Sequence, residues 1–303
     1  MPPEPAKAPR VSIIIPTYNQ GRFLGAALES VLAQTVQDWE AIIINNYSDD
    51  ETVEVVKSFN EGRFTLIDFA NHGIIAASRN KGVSLARAEW IAFLDSDDTW
   101  LPEKLERCLA VATPDVDFVG HAMNLLRDGK YQGVQFSGPE ARAEYRSLLF
   151  VGTCATPSAT LMRKSMYEKV GGSSENPEFR TAEDYELLLK IAAAGARVAF
   201  IPDRLTDYLL HDANTSGSAK KHLDAGVAIV RNHYATLEKR PFDGLRLRRR
   251  LAMLYYGAAR KFMDLGDKPQ ALKYFFKCIF NFPFILRSYM AIVMTVFKVP
   301  RKA

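Results

Sequence analysis

The chain has 303 residues, 48% hydrophobic and 24% charged, which is enough apolar material for one large globular domain and an appendage. Its formal charge of +4, from 39 Lys and Arg against 35 Asp and Glu, is too slight to make nucleic acid the main partner. Cys108, Cys154 and Cys278 stand far apart without paired spacing, so neither a disulfide framework nor a cysteine metal site is expected, and a reducing compartment is.

Residues 1–10 are Pro-rich and charged and lack an apolar core, so they read as a short disordered arm and not as a secretion signal. No apolar run reaches the length of a spanning helix; the nearest covers residues 288–299. A cytoplasmic protein is therefore expected. Residues 11–15 form a short β-branched run ending at Pro16, as a buried parallel strand would. Phe23, Leu24, Ala27, Leu28, Val31 and Leu32 then recur at helical spacing. A strand at 41–44, a helix at 51–59, a strand at 64–69, a helix at 74–86, a strand at 90–94 and a helix at 102–111 follow. This alternation predicts a doubly wound α/β sheet, in which ligands bind beyond the carboxyl ends of the strands. Residues 16–20, 45–50 and 95–98 all follow strands and are expected to face one crevice.

From residue 116 to 201 the pattern is mixed, with strands at 118–122, 158–162 and 198–201 and a helix at 183–194. Beyond residue 220 it is helical, with segments at 222–237, 245–265 and 269–280. The expected organisation is a disordered arm over 1–10, an α/β domain over 11–215 and a helical region over 216–303.

Asp95, Asp97 and Asp98 crowd three carboxylates into four positions, an arrangement that has to be solvated, hydrogen-bonded or neutralised by a cation. The residues alone leave two readings open, a solvated turn that caps the next helix or a metal site. Five segments decide between them: residues 11–19 (VSIIIPTYN), Leu28 with Ser30 and Gln34, residues 78–82 (SRNKG), residues 93–100 (FLDSDDTW) with Pro102, and residues 181–187 (TAEDYEL). In this order they resemble the family 2 glycosyltransferases of GT-A fold, over residues 11–211.

The resemblance implies an inverting, non-processive transfer of a sugar from a nucleotide-diphosphate donor to a glycan or lipid-linked acceptor, in cell-surface polysaccharide biosynthesis. It implies Mn²⁺ or Mg²⁺ on Asp97, with Asp95 supporting the metal or the ribose and His211 reaching the metal or the diphosphate. Pro16, Tyr18, Asn46, Arg79, Asp95 and Ser96 would bind the nucleotide, and Asp184 would take the acceptor proton. Glu183, Thr156 and Ser158 would lie on the acceptor side. Asp98 is left to helix capping or to support of its neighbours. For Tyr18 the alternative is surface packing, for Arg79 a surface salt bridge, and for Glu183 and Asp184 a favourable placement on a helix dipole.

Three stretches depart from the family pattern. Asn45, Asn46, Tyr47 and Ser48 stand where Asp-Asp-Gly-Ser is common, which leaves the base open because an amide offers both a donor and an acceptor. Leu209 replaces an arginine before His211, and Ser174 replaces a phenylalanine after Gly171 and Gly172. Two other readings stay open: a catalytically degenerate sugar-nucleotide binder or scaffold acting through its tail, and a nucleotidyltransferase, although residues 16–19 offer no Gly-rich phosphate loop.

In the tail, Ala259, Phe262, Gly266, Ala271, Phe275, Cys278 and Pro283 resemble one tetratricopeptide-like hairpin. Basic residues, including the cluster Arg248, Arg249 and Arg250, are interleaved there with Phe276, Phe280, Phe282, Phe284 and Tyr289. The tail is either a peripheral membrane contact at the cytosolic face or a solvated basic face over a helical core.

Overall fold

The computed structural model describes residues 8–211 and 219–297. Most of the expected arm and the boundary expected near residue 215 lie outside them. The described residues divide into two compact units, one comprising residues 8–145, 153–175 and 183–211, the other residues 146–152, 176–182 and 219–297.

In chain order the elements are β1 (Val11–Thr17), α1 (Gly21–Leu32), β2 (Trp39–Asn45), α2 (Thr52–Ser58), β3 (Phe64–Asp68), α3 (Ile75–Leu85), β4 (Trp90–Phe93), β5 (Thr99–Trp100), α4 (Lys104–Val111), β6 (Phe118–Arg127) and β7 (Lys130–Gln135). They continue with α5 (Tyr145–Val151), β8 (Thr160–Arg163), α6 (Lys164–Lys169), α7 (Glu183–Ala193), β9 (Val198–Leu209), α8 (Ala219–Thr236), α9 (Asp243–Asp264), α10 (Lys268–Asn281) and α11 (Leu286–Phe297).

The first unit is built on a nine-stranded mixed sheet ordered β3-β2-β1-β4-β8-β6-β9-β5, with β7 paired to β6. From β3 to β4 the strands are parallel. Every residue of β1, β2 and β4 is buried, as strands covered on both faces must be, and this explains their apolar runs, interrupted only by Ser12 and Glu40, which pair with each other, before the polar ends at Thr17 and Asn45. The side of α1 at Leu24, Ala27, Leu28 and Val31 packs into that core, matching its helical spacing.

Uniform parallel pairing stops at β4. Strand β8 runs antiparallel to both β4 and β6, β6 pairs parallel with β9, and β5 pairs antiparallel with β9. Hence the sheet is mixed and doubly wound only in its first half. Strand β9 is far longer than the expected 198–201, because it passes Pro202 through register shifts against His121, Ala122 and Met123 that absorb the break. The hairpin of β6 and β7 was not expected from the pattern. Asp128 and Gly129 link the strands with φ of 50° and 70°, the mirror-image turn that matches strand twist.

The second unit is helical. Ala252, Ala259, Ala271, Phe275 and Cys278 are fully buried where α9 and α10 pack, and Phe262 stacks on Tyr274 with centroids 5.5 Å apart. Gly266, at φ 76°, turns the chain between the two helices. Within the same unit Arg146 of α5 pairs with the buried Asp243, and Phe150 meets Tyr234 edge-on at 6.4 Å.

Candidate active site

Because β1, β2 and β4 are parallel, the loops after them emerge on one side of the sheet. Two are sewn together. Asn19, at φ 51°, donates from Nδ2 to Asp49 Oδ1 (2.7 Å) and accepts from the Asp49 N–H (3.0 Å). Its own N–H donates to Ser48 Oγ, and the Gly21 N–H donates to Asp50 Oδ2, both at 2.9 Å. A Cβ on Gly21 would lie 2.8 Å from the Thr52 nitrogen, so only glycine lets these loops approach. Pro16 is buried in register with Ile44 near the end of β1, while Tyr18 and Tyr47 stand exposed beside the seam. Tyr47 takes φ 55°, the left-handed conformation that glycine adopts freely, so its ring projects at a strained position.

Asn46 is committed on one side: its Oδ1 accepts from the Asn71 N–H at 2.9 Å. Asn71 in turn donates from Nδ2 to Ser78 Oγ at 2.8 Å, tying the β2 loop to α3.

Next to Ser78 on α3 stands Arg79, which is only 4% exposed. It reaches Asp95 Oδ1 through Nη2 and Glu183 Oε1 through Nη1, each at 2.8 Å. Burial alone would weaken its charge, but Asp95, Glu183 and Asp184 outweigh that cost and raise its pKa. Arg79 is thus a buried clamp between the acid loop and the start of α7, where a surface salt bridge was one expectation.

The acid loop is held from several directions. The Asp95 N–H donates to Ser158 Oγ (3.1 Å), and the Asp98 N–H closes a turn on the Asp95 carbonyl (3.0 Å). Ser158 is buried and accepts at its carbonyl from Trp100 Nε1 and Thr206 Oγ1, so it supports the loop from within the fold. Ser30 and Gln34 brace the following segment, Ser30 Oγ accepting from the Trp100 N–H and Gln34 Oε1 from the Leu105 N–H. Asp98 does not cap α4; its Oδ1 accepts from the Leu209 N–H at the end of β9. Burial and the charges of Asp95 and Asp97 push Asp98 well above the usual carboxylate range.

His211 follows β9, and its Nε2 lies 2.8 Å from Asp97 Oδ2. Phe23 of α1 stacks on the imidazole with centroids 4.7 Å apart and fixes its plane. Burial and then the Asp95 charge raise the pKa of Asp97, against the pull of His211. Ser96 is buried in the same loop. Asp184 is half-buried in the first turn of α7 and lines a small, mainly apolar cavity with Arg79, Phe93, Thr156, Leu187 and Leu188.

The structure therefore brings Arg79, Asp95, Asp97, Asp98, Glu183 and His211 into one linked cluster. Phe23, which stacks on His211, joins the cluster from α1 although its residue type reads only as core, and the backbone N–H of Leu209 holds Asp98. No three His, Cys, Asp or Glu among the described residues come close enough to hold a metal by themselves. Asp97 and His211 bring a carboxylate oxygen and an imidazole nitrogen to one point; the carboxylate suits Mn²⁺ or Mg²⁺ when phosphate oxygens and waters complete the shell, and the imidazole fits Mn²⁺ better than the harder Mg²⁺.

Residues 12–171 match the family model Glycosyl transferase family 2. An uncharacterized glycosyltransferase of Haemophilus influenzae is 31% identical over 274 residues, which is 88% of each chain. The succinoglycan biosynthesis protein ExoO of Rhizobium meliloti is 28% identical over 308 residues, 94% of this chain and 85% of its own. Among solved structures, the mannosyltransferase PcManGT from Pyrobaculum calidifontis, in complex with GDP-Man and Mn²⁺, superposes with a TM-score of 0.62. It covers 97% of this chain and 86% of its own at 16% identity, a likeness of fold. With the family motifs in order along the sheet and the match spanning more than half the sequence, the chain belongs to glycosyl transferase family 2 and has its GT-A fold.

Proposed function

We propose that the region 11–215 moves a sugar, with inversion, from a nucleotide-diphosphate donor to a glycan or lipid-linked acceptor in the assembly of a cell-surface polysaccharide. The observation that carries this reading is the Arg79 clamp, which fixes the acid loop to the helix bearing Asp184. The succinoglycan biosynthesis role of ExoO supports the polysaccharide context, and the GDP-Man and Mn²⁺ bound to PcManGT support the donor class and the ion.

On the donor side, the crevice beyond β1 and β2 receives the nucleoside. Tyr18 and Tyr47 present exposed rings on which a base can stack. Asn46, whose Oδ1 is engaged by Asn71, presents its NH₂ to the base edge. Asp97 and His211 would hold Mn²⁺ or Mg²⁺, which when bound neutralises the growing negative charge on the diphosphate leaving group. Asp95, held by Arg79, keeps Asp97 at the crevice and is available to the ribose.

On the acceptor side, Asp184 accepts the proton of the attacking hydroxyl as that oxygen bonds to the anomeric carbon and the bond to the diphosphate breaks on the opposite face. Glu183 positions Arg79 beside it, and Thr156 borders the acceptor wall. Calorimetry of nucleoside diphosphates with and without Mn²⁺ tests the reading. Asp97→Ala is expected to abolish the metal-dependent part of binding, and unchanged Mn²⁺-dependent affinity would remove Asp97 from the ion.

A further inference from the structure

Helix α11 is built the wrong way round for a helix facing water. Its buried positions are Ser288, Ala291 and Thr295, while Leu286, Tyr289, Met290, Val293, Val296 and Phe297 are between 43% and 74% exposed. The exposed set recurs at three- and four-residue steps and so lies on one helical face. The inner residues are small and satisfied: Ser288 Oγ meets Cys278 Sγ at 3.2 Å, and Thr295 Oγ1 donates to the Ala291 carbonyl at 2.7 Å. They let α11 seat closely on α10, where Ile292 also packs, while the other large side chains named above are left for something else.

Helix α10 and the turn after it continue the pattern. Phe276, Phe280 and Phe284 are each at least 60% exposed, and Lys273 and Lys277 share the outer side of α10 with them. Single apolar residues on a surface need no explanation, but a whole face does. The charge pattern names the occupant. From residue 268 to residue 303 there is no Asp or Glu, against seven Lys and Arg. A second copy of the chain would bring like charges together on this face, so self-pairing is opposed. An anionic bilayer accepts an apolar face without shape complementarity and attracts the lysines to its headgroups. No helix among the described residues is long and apolar enough to cross a membrane, so α11 would lie in the interface plane.

We propose that α10 and α11 form an interfacial membrane-binding surface, the outer face of α11 entering the headgroup boundary of an anionic bilayer with Lys273 and Lys277 on lipid phosphates. In the basic cluster at residues 248–250, Arg248 donates to the carbonyls of Phe280 and Asn281 and Arg250 to that of Val151, so the proposed contact is placed on Lys273 and Lys277 instead. The site needs no sugar donor, so it stands or falls separately from the transfer reaction.

The test is co-sedimentation of the full chain with phosphatidylcholine vesicles, with and without phosphatidylglycerol. The native protein is expected to pellet with the phosphatidylglycerol vesicles. Val293→Glu/Phe297→Glu should lower the partition coefficient at least ~10-fold, and Lys273→Glu/Lys277→Glu should remove the preference for anionic lipid. The fluorescence of a Tyr289→Trp variant, quenched by brominated lipid, should report insertion. Native protein that stays in the supernatant, variants that pellet like the native chain, or indole fluorescence at position 289 that is indifferent to brominated lipid would overturn the proposal. So would a dimer or a co-purified acidic protein that covers the same face and is released by the same substitutions without vesicle binding.

Discussion

The acid crevice of the first unit and the outer face of α11 in the second depart from the usual partition of side chains in opposite directions. In the crevice Arg79, Glu183 and Asp98 are buried and held by opposite charges or backbone groups. On α11 six large apolar side chains face outward, and the buried positions are small except for the partly buried Ile292. Buried charge is costly unless paired, and exposed apolar area is costly unless covered. The crevice settles its buried charges within the chain, whereas the outer face of α11 leaves apolar area that the described residues do not cover.

Five variants sharpen that contrast, from the largest effect to the smallest. Asp184→Asn is expected to lower kcat for sugar transfer by about 10²–10⁴ while nucleotide affinity, read by calorimetry, stays unchanged. Weakened donor binding in that variant would take Asp184 out of the base role. Arg79→Met strands two carboxylates near a buried site and should cost about 3–5 kcal/mol in urea denaturation. Arg79→Lys should recover only part of this, because an ammonium lacks the planar fork that reaches both acids.

Lys104 comes next. It is fully buried, donates to the Thr160 carbonyl at 3.1 Å and lies 3.7 Å from the Trp100 ring. Burial lowers its pKa from 10.5 to about 8. Between those values the unfolded chain binds more protons than the folded one, so this residue makes stability rise with pH across that window. Lys104→Met should flatten the rise and stabilise the protein near pH 7 by about 1–3 kcal/mol, as denaturation at a series of pH values would register. Last, Val293→Glu/Phe297→Glu should move the unfolding free energy in the absence of lipid by less than about 0.5 kcal/mol, since those side chains bury little within the fold. A large loss there would mean that the face is part of a core, and the contrast with the crevice would fail.

Much of the first half was legible because its signals are local. The β-branched runs at 11–15 and 41–44, the helical spacing after Phe23 and the acids behind Phe93 each sit within one element, and the structure places all of them as read. The later strands were read short. Pro202 masked the length of β9, whose register shifts depend on β6, whereas the hairpin at Asp128 and Gly129 carried a turn signal that could have revealed β7. At the site, the acids and Arg79 were legible as residue types, while their partners were not.

By itself the sequence determined the alternation that makes the first strands parallel and the position of the acid cluster at a strand end, because short-range patterning encodes these, and its motifs carried the resemblance to the family. Only the tertiary structure decided that Arg79 is buried between Asp95 and Glu183, that β9 delivers Leu209 to Asp98 and His211 to Asp97, and that α11 turns its small residues inward. These are pairings between residues distant in the chain or orientations of whole elements, and they are fixed by sheet register and packing, which no local pattern contains.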